Sequence, residues 1–244
     1  SPLHLSALYG FKEITKLLLR YKASTETRNV NLYSPLHSAA SNDYEEIVSL
    51  LIEAGADKNS RDQYGNTPFH KAAQIGNLNI IYLLLSKGAR INIQNYYGYT
   101  PLHMAVDNNH YEIAKALIQS RVEINARDND NYYSALHFAI LRRNLNMVKL
   151  LVNNGITIDS QYKEEISPMV MAASRDYLEI VEFLIENGAD LDSPNDRGTT
   201  PLKVAIAYGK TEAAKLLIER GAGIDLADDS EITPLHKSSL KGNL

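Results

Sequence analysis

The 244-residue sequence predicts an all-α solenoid, a row of stacked helix-turn-helix units joined by short β-hairpin-like loops. Three observations predict it. A Ser/Thr-Pro-Leu-His tetrapeptide recurs at a spacing of 33 or 34 residues. A glycine recurs in phase with it, each time after an apolar run. Between the two signals the apolar residues keep helical spacing, as at Ile80, Leu83 and Leu84.

The tetrapeptide opens each unit. Clear copies are Ser1-Pro2-Leu3-His4, Ser34-Pro35-Leu36-His37, Thr67-Pro68-Phe69-His70, Thr100-Pro101-Leu102-His103 and Thr233-Pro234-Leu235-His236. Degenerate copies are Ser134-Ala135-Leu136-His137, Ser167-Pro168-Met169-Val170 and Thr200-Pro201-Leu202-Lys203. Repeats therefore start near 1, 34, 67, 100, 134, 167, 200 and 233. Ser or Thr suits the N-cap of a first helix, and proline suits the next position, where no backbone N–H is needed. Small residues such as Ala39, Ala72, Ala105 and Ala172 permit close helix packing. A second, amphipathic helix ends at a left-handed glycine: Gly55, Gly88, Gly155, Gly188 or Gly221. A hairpin-like turn such as Asp57 to Asn66 follows, with Gly65 and Gly98 relieving strain at the tips.

The 33-residue period and the Thr-Pro-Leu-His-x-Ala signature resemble the ankyrin repeat, over the whole chain and in eight in-register copies. The resemblance implies a single array over residues 1–244, curved so that hairpins and first helices line one concave side. The first and last units are truncated and neither end reads as a polar cap, so the expectation is a fragment of a longer protein.

Composition bounds the function. A net charge of -4 argues against a partner recruited by bulk basic charge, so no nucleic acid is expected. The charge is uneven: residues 176–231 carry 13 acidic and 5 basic side chains, and a basic partner would prefer that third. With no cysteine there is no disulfide and no cysteine-ligated metal, which fits an intracellular, cytoplasmic setting. No apolar run is long enough to cross a membrane.

Catalytic chemistry is not expected. His4, His37, His70, His103, His137 and His236 recur a repeat apart, too far to share a metal. They read as ring nitrogens bonded to turn backbone. His110 falls beside an inter-helix turn and is expected to be exposed. The pairs Glu45-Glu46 and Asp228-Asp229 read as solvated faces or turns, and general acid–base work needs two groups converging on a pocket. No phosphate-binding glycine loop or nucleophile elbow is present. No cofactor is expected, and a monomer is.

The resemblance implies protein recognition, so the expected function is a protein–protein interaction scaffold. The alternatives are a targeting or substrate-recruiting segment of a larger multidomain enzyme, and a structural spacer. Carried onto this chain, the family's contact positions at the hairpin tips are Gln63, Tyr64, Asn66, Tyr96, Tyr97, Tyr99, Asn131 and Tyr132. Those at the ends of first helices are Gln74, Ile75, Asp107, Asn108, Leu141 and Arg142. Tyrosine numbers 15 against 4 Phe and no Trp, and Tyr33 and Tyr133 also fall in hairpins. Tyrosine offers contact area with few rotatable bonds; Tyr64 and Tyr97, each beside a hairpin glycine, equally fit packing on the adjacent turn. Tyr99 and Tyr132 stand out as binding residues, since neither precedes such a glycine.

Four departures break the pattern. Lys22 and Arg121 replace the helix-ending glycine, at up to about 1 kcal/mol each. Repeat 5 lacks the proline (Ala135) and gains one hairpin residue between Asp128 and Tyr133. Repeat 6 lacks both the hairpin glycine (Glu165) and the histidine (Val170).

Overall fold

The computed structural model describes residues 1–159, 166–195, 198–231 and 233–234. These residues form fourteen α-helices and no strand, as seven helix pairs. The pairs are α1–α2 (Pro2–Leu8, Lys12–Arg20), α3–α4 (Pro35–Ala40, Glu45–Glu53), α5–α6 (Pro68–Ile75, Leu78–Ser86), α7–α8 (Pro101–Asp107, Tyr111–Gln119), α9–α10 (Ala135–Leu141, Leu145–Asn153), α11–α12 (Pro168–Ala173, Leu178–Glu186) and α13–α14 (Pro201–Ala207, Thr211–Glu219). The chain divides into two compact units, Ser1–Asn129 and Asp130–Leu244.

Every first helix starts at the second residue of its tetrapeptide. In α3 the Ser34 hydroxyl accepts the His37 N–H at 3.4 Å, and His37 Nδ1 accepts the Ser34 N–H at 3.2 Å. Together they satisfy two donors that a helix start otherwise leaves open. The same reciprocal box closes α5, α7 and α9. Helix α9 starts in place although Ala135 has lost the proline, because the Ser134–His137 box remains.

Packing follows the period. Ala39, Ala72, Ala105, Ala139, Ala172 and Ala205 are all completely buried. First helices stack on first helices, α1 on α3 on α5 on α7 in one unit and α9 on α11 on α13 in the other. Second helices stack likewise: α2, α4, α6 and α8, then α10, α12 and α14. The worth of this stacking is visible in repeat 1. Ile14 is 50% exposed, whereas its counterparts Ile47 and Ile80 are 2% and 0% exposed. Covering such a side chain contributes about 2 kcal/mol.

Each repeat turns at three left-handed residues, of which the sequence reading anticipated two. The helix-ending set includes Gly55 and Gly88, with Lys22 (φ 59°) and Arg121 (φ 61°) strained into the same role. The hairpin set is Leu32, Gly65, Gly98, Tyr132, Gly198 and Glu231. The third set closes the inter-helix turn: Gly10, Asp43, Gly76, Asn109, Arg143, Asp176 and Gly209. Glu165 lies outside the described residues.

Candidate recognition surface

The loops 29–33, 62–66, 95–99 and 195–199 are five-residue hairpins built on one Asn or Asp, and repeat 5 carries one residue more. In the loop 62–66 the Asp62 N–H donates to the Asn66 carbonyl at 2.8 Å, and Gly65 N–H donates to the Asp62 carbonyl at 2.9 Å. Asp62 Oδ1 accepts the N–H groups of Tyr64 and Asn66, both at 2.8 Å. Asn29 and Asn95 organise their loops identically. The carboxamide or carboxylate thus does what a strand partner does in a β-hairpin, and no strand forms. Neighbouring loops join through single backbone bonds: Gln63 N–H to Asn31 O, Tyr96 N–H to Tyr64 O and Asn129 N–H to Tyr97 O, at 2.9–3.1 Å. Asn129 keeps the register of Tyr96, so the extra residue of repeat 5 falls after it.

The signature histidines tie the first helices α1, α3, α5 and α9 to the loops that follow them. Nε2 of His4, His37, His70 and His137 donates to the carbonyls of Tyr33, Asn66, Tyr99 and Ile166 at 2.6–2.9 Å. Nδ1 is committed as acceptor in the capping box, which sets the tautomer. Burial drives the pKa of both His37 and His70 down to about 4, against the opposing pull of the carbonyl bonds. The histidines are neutral structural links. His110 departs from its expected exposure: it is half-buried and bonded through Nε2 to the Gln74 carbonyl at 3.0 Å, with its ring over Gly76.

These bonds sort the expected contact residues. Gln63, Tyr64, Gln74, Ile75, Tyr96, Tyr97, Asn108, Asn131, Tyr132 and Arg142 are exposed. Asp107 and Leu141 are half-buried. Asn66 is only 6% exposed. Its Nδ2 donates to Asp62 at 3.2 Å and its Oδ1 accepts Asn95 Nδ2 at 2.8 Å, so it belongs to the loop interior and not to a contact surface.

Tyrosines divide by loop position. Tyr33, Tyr99 and Tyr133, the last residues of their loops, lie on the histidines of their own repeats, with ring centroids 5.5 Å, 6.1 Å and 5.0 Å from His37, His103 and His137. Tyr99, expected as a binding ring, is half-buried against His103. Tyr132 occupies the hairpin glycine's own position at φ 56°, a strain invisible until the inserted residue is placed. Tyr64 and Tyr97 sit one residue earlier and stack on each other across adjacent loops at 6.4 Å. Arg61 covers the Tyr96 ring at 5.8 Å.

Among the described residues, two buried ion pairs escaped the sequence reading. Lys71 Nζ lies 3.1 Å from Asp62 Oδ2 and 5.0 Å from the centre of the Tyr33 ring. Lys203, which replaces a signature histidine, lies 2.9 Å from Asp228 with both side chains buried. Asp228 is thus a structural partner and not part of a solvated acidic pair, while Glu45 and Glu46 are exposed. Part of the signal was present in the sequence: Asp62 and Asp228 each stand at a loop-organising position with a lysine on an adjacent first helix, although Asp128, at the same position, has none. Among the described residues no group of three potential metal ligands converges, and no helix is long and apolar enough to cross a membrane.

Comparison with known proteins agrees with this architecture. The family model for ankyrin repeats (3 copies) matches residues 1–62, 55–128, 126–195 and 169–244. The chain belongs to the ankyrin-repeat family, whose members are in general non-enzymatic protein-interaction modules. Among solved structures it is similar to the ankyrin repeat domain of Bcl-3, described as a unique member of the IkappaB protein family. That match has 27% identity and a TM-score of 0.81, covering 90% of this chain and 98% of the other. It is also similar to the human ASB11 ankyrin repeat domain, with 26% identity and a TM-score of 0.79, covering 91% and 99%. No curated protein sequence matches the chain.

Proposed function

We propose that this chain binds a protein partner through the side that carries the hairpin loops and the ends of the first helices. The observation that supports it most is the set Tyr64, Tyr96 and Tyr97, exposed by 46%, 62% and 45%. Each of these rings projects from a loop whose backbone is closed by an Asn or Asp and bonded to its neighbour, so little rotational freedom remains to be lost on binding. Aromatic anchors on a rigid base are where interface energy concentrates.

The test compares retention of partner proteins by the wild-type chain and by Tyr64→Ala combined with Tyr97→Ala. The double variant is expected to bind its partner more than tenfold more weakly, about 1.4 kcal/mol, with an unchanged melting temperature. Tyr99→Ala serves as contrast, since removing a ring that packs on His103 is expected to lower the melting temperature. Equal partner affinity for the double variant and wild type would overturn the assignment.

A further inference from the structure

Repeat 6 departs from the others at the point where loop and first helix meet. In α1, α3, α5, α7 and α9 an imidazole fills that angle, with a tyrosine ring over it in three of them, and in α13 the buried Lys203 fills it. In α11 the residue is Val170, and the positions equivalent to Tyr99 and Tyr133 are Ile166 and Thr199. Smaller side chains leave room, and a groove of about 460 Å³ opens there, wholly within the unit Asp130–Leu244. Its volume lies in the range of small-ligand and side-chain pockets, roughly 300–1,000 Å³.

The groove has a polarity. Its floor is apolar: Val170, Met171 and Val204, with Ile166 at the edge. Tyr133 and Tyr208 wall it, and Tyr208 is 68% exposed. Arg175 stands at the rim. One arm of its guanidinium, Nη1, donates to the Met171 carbonyl and the Ser174 hydroxyl, both at 3.1 Å, which pins the fork beside the groove. Arg175 has no ion-pair partner among the described residues. Its neighbour Asp176 is turned to the Ala213 N–H at 3.0 Å. Arg142, exposed, holds the register of Arg175 one repeat earlier. This cationic rim is set in an acidic unit, for residues 130–244 carry 17 acidic and 12 basic side chains. An adjoining hollow of about 240 Å³ shares Tyr133 and Ile166 and is lined by Asp130, so a bound segment meets a carboxylate at one end and a guanidinium at the other.

We propose that this groove seats a partner's peptide segment in which one bulky apolar side chain is followed within two residues by a carboxylate. The apolar side chain rests on Val170, Met171 and Val204. The carboxylate takes the free N–H groups of the Arg175 fork, a geometry that favours bidentate pairing. This rests on the reading that the hairpin and first-helix side is the binding side, and adds the chemistry of what binds.

The test pans a phage-displayed library of random dodecapeptides against the full chain. Enriched peptides are expected to share Leu, Phe or Met followed within two residues by Asp or Glu. Their affinity is expected to fall at least tenfold on Arg175→Glu, and on Val170→His, which returns the residue other repeats hold and keeps the melting temperature. A peptide with Lys in place of the acid is expected to regain binding to the Arg175→Glu variant. No enrichment, enriched peptides lacking the pattern, or affinities untouched by Arg175→Glu would overturn the proposal. Peptides that are lost only on Tyr64→Ala with Tyr97→Ala overturn the groove while leaving the hairpin reading intact.

Discussion

Acidification from pH 7 to pH 5 is expected to destabilise this protein through two buried rings. His37 and His70 are held at a pKa of about 4 because burial penalises the imidazolium, and the bonds to the Asn66 and Tyr99 carbonyls recover only part of that. In the unfolded chain both titrate near the ordinary 6.5. Between 6.5 and 4 the unfolded chain therefore takes up protons that the folded chain refuses. The stabilisation is complete above 6.5 and is lost progressively as the pH falls towards 4. At pH 5 each ring has forgone roughly 1.5 pH units at about 1.4 kcal/mol per unit, so the two together remove about 4 kcal/mol. His4, lowered chiefly by burial, acts in the same direction. Asp62 does not contaminate this window. Burial works to raise its pKa, but bonds from Lys71 and Asn66 outweigh that and hold it below 3.8, so its contribution is lost only at lower pH. Urea unfolding at pH 7, 6 and 5 reads the stability, and an NMR titration of the ring protons reads the two pKa values. The variant His37→Gln with His70→Gln is expected to lose most of the pH dependence. A ring pKa near 6.5, or an unfolding midpoint that stays level from pH 7 to 5, would refute the reasoning.

Three further outcomes are expected. Arg121→Gly and Tyr132→Gly each relieve a strained left-handed residue and are expected to raise stability by about 1 kcal/mol, read as a melting-temperature rise; a fall in either would show that the side chain's packing matters more than its φ. Gly98→Ala places a Cβ 2.6 Å from the Asn129 backbone nitrogen, whereas a Cβ on Gly55 meets nothing within 4 Å. Gly98→Ala is therefore expected to destabilise clearly more than Gly55→Ala, which carries only the conformational cost of about 1 kcal/mol; equal losses by calorimetry would contradict this. In hydrogen exchange, residues 128–159 are expected to open faster than residues 67–120, because the inserted residue interrupts the regular loop there; uniform protection would count against it.

How much of this was legible in the sequence depends on the range of the interaction. The helix starts, the helix-ending glycines and the alanine seam were readable because each is a local rule repeated five times or more. Even the missing proline of repeat 5 changed nothing, since its cap is made within four residues. The histidine bonds were anticipated in kind, but their partners lie 29 residues away. The third left-handed position escaped because only Gly10, Gly76 and Gly209 mark it with a glycine, while Asp43, Asn109, Arg143 and Asp176 do not.

The candidate surface was less legible, and for a definite reason. Asn66 and Tyr64 are two residues apart in one polar loop, yet one is interior and the other exposed. Which is which depends on Asp62 capturing the loop's N–H groups, and on Asn95 of the next loop reaching Asn66. The same holds for Tyr99 against Tyr97: the two rings touch, but Tyr99 also reaches His103 and is half-buried, whereas Tyr97 reaches Tyr64 of the preceding loop and stays exposed. The sequence by itself determined the period, the helices and the family, because those follow from helix capping and apolar spacing within one repeat. Only the tertiary structure decided which polar and aromatic side chains stay exposed and which turn inward, because each loop is completed by atoms of the next repeat.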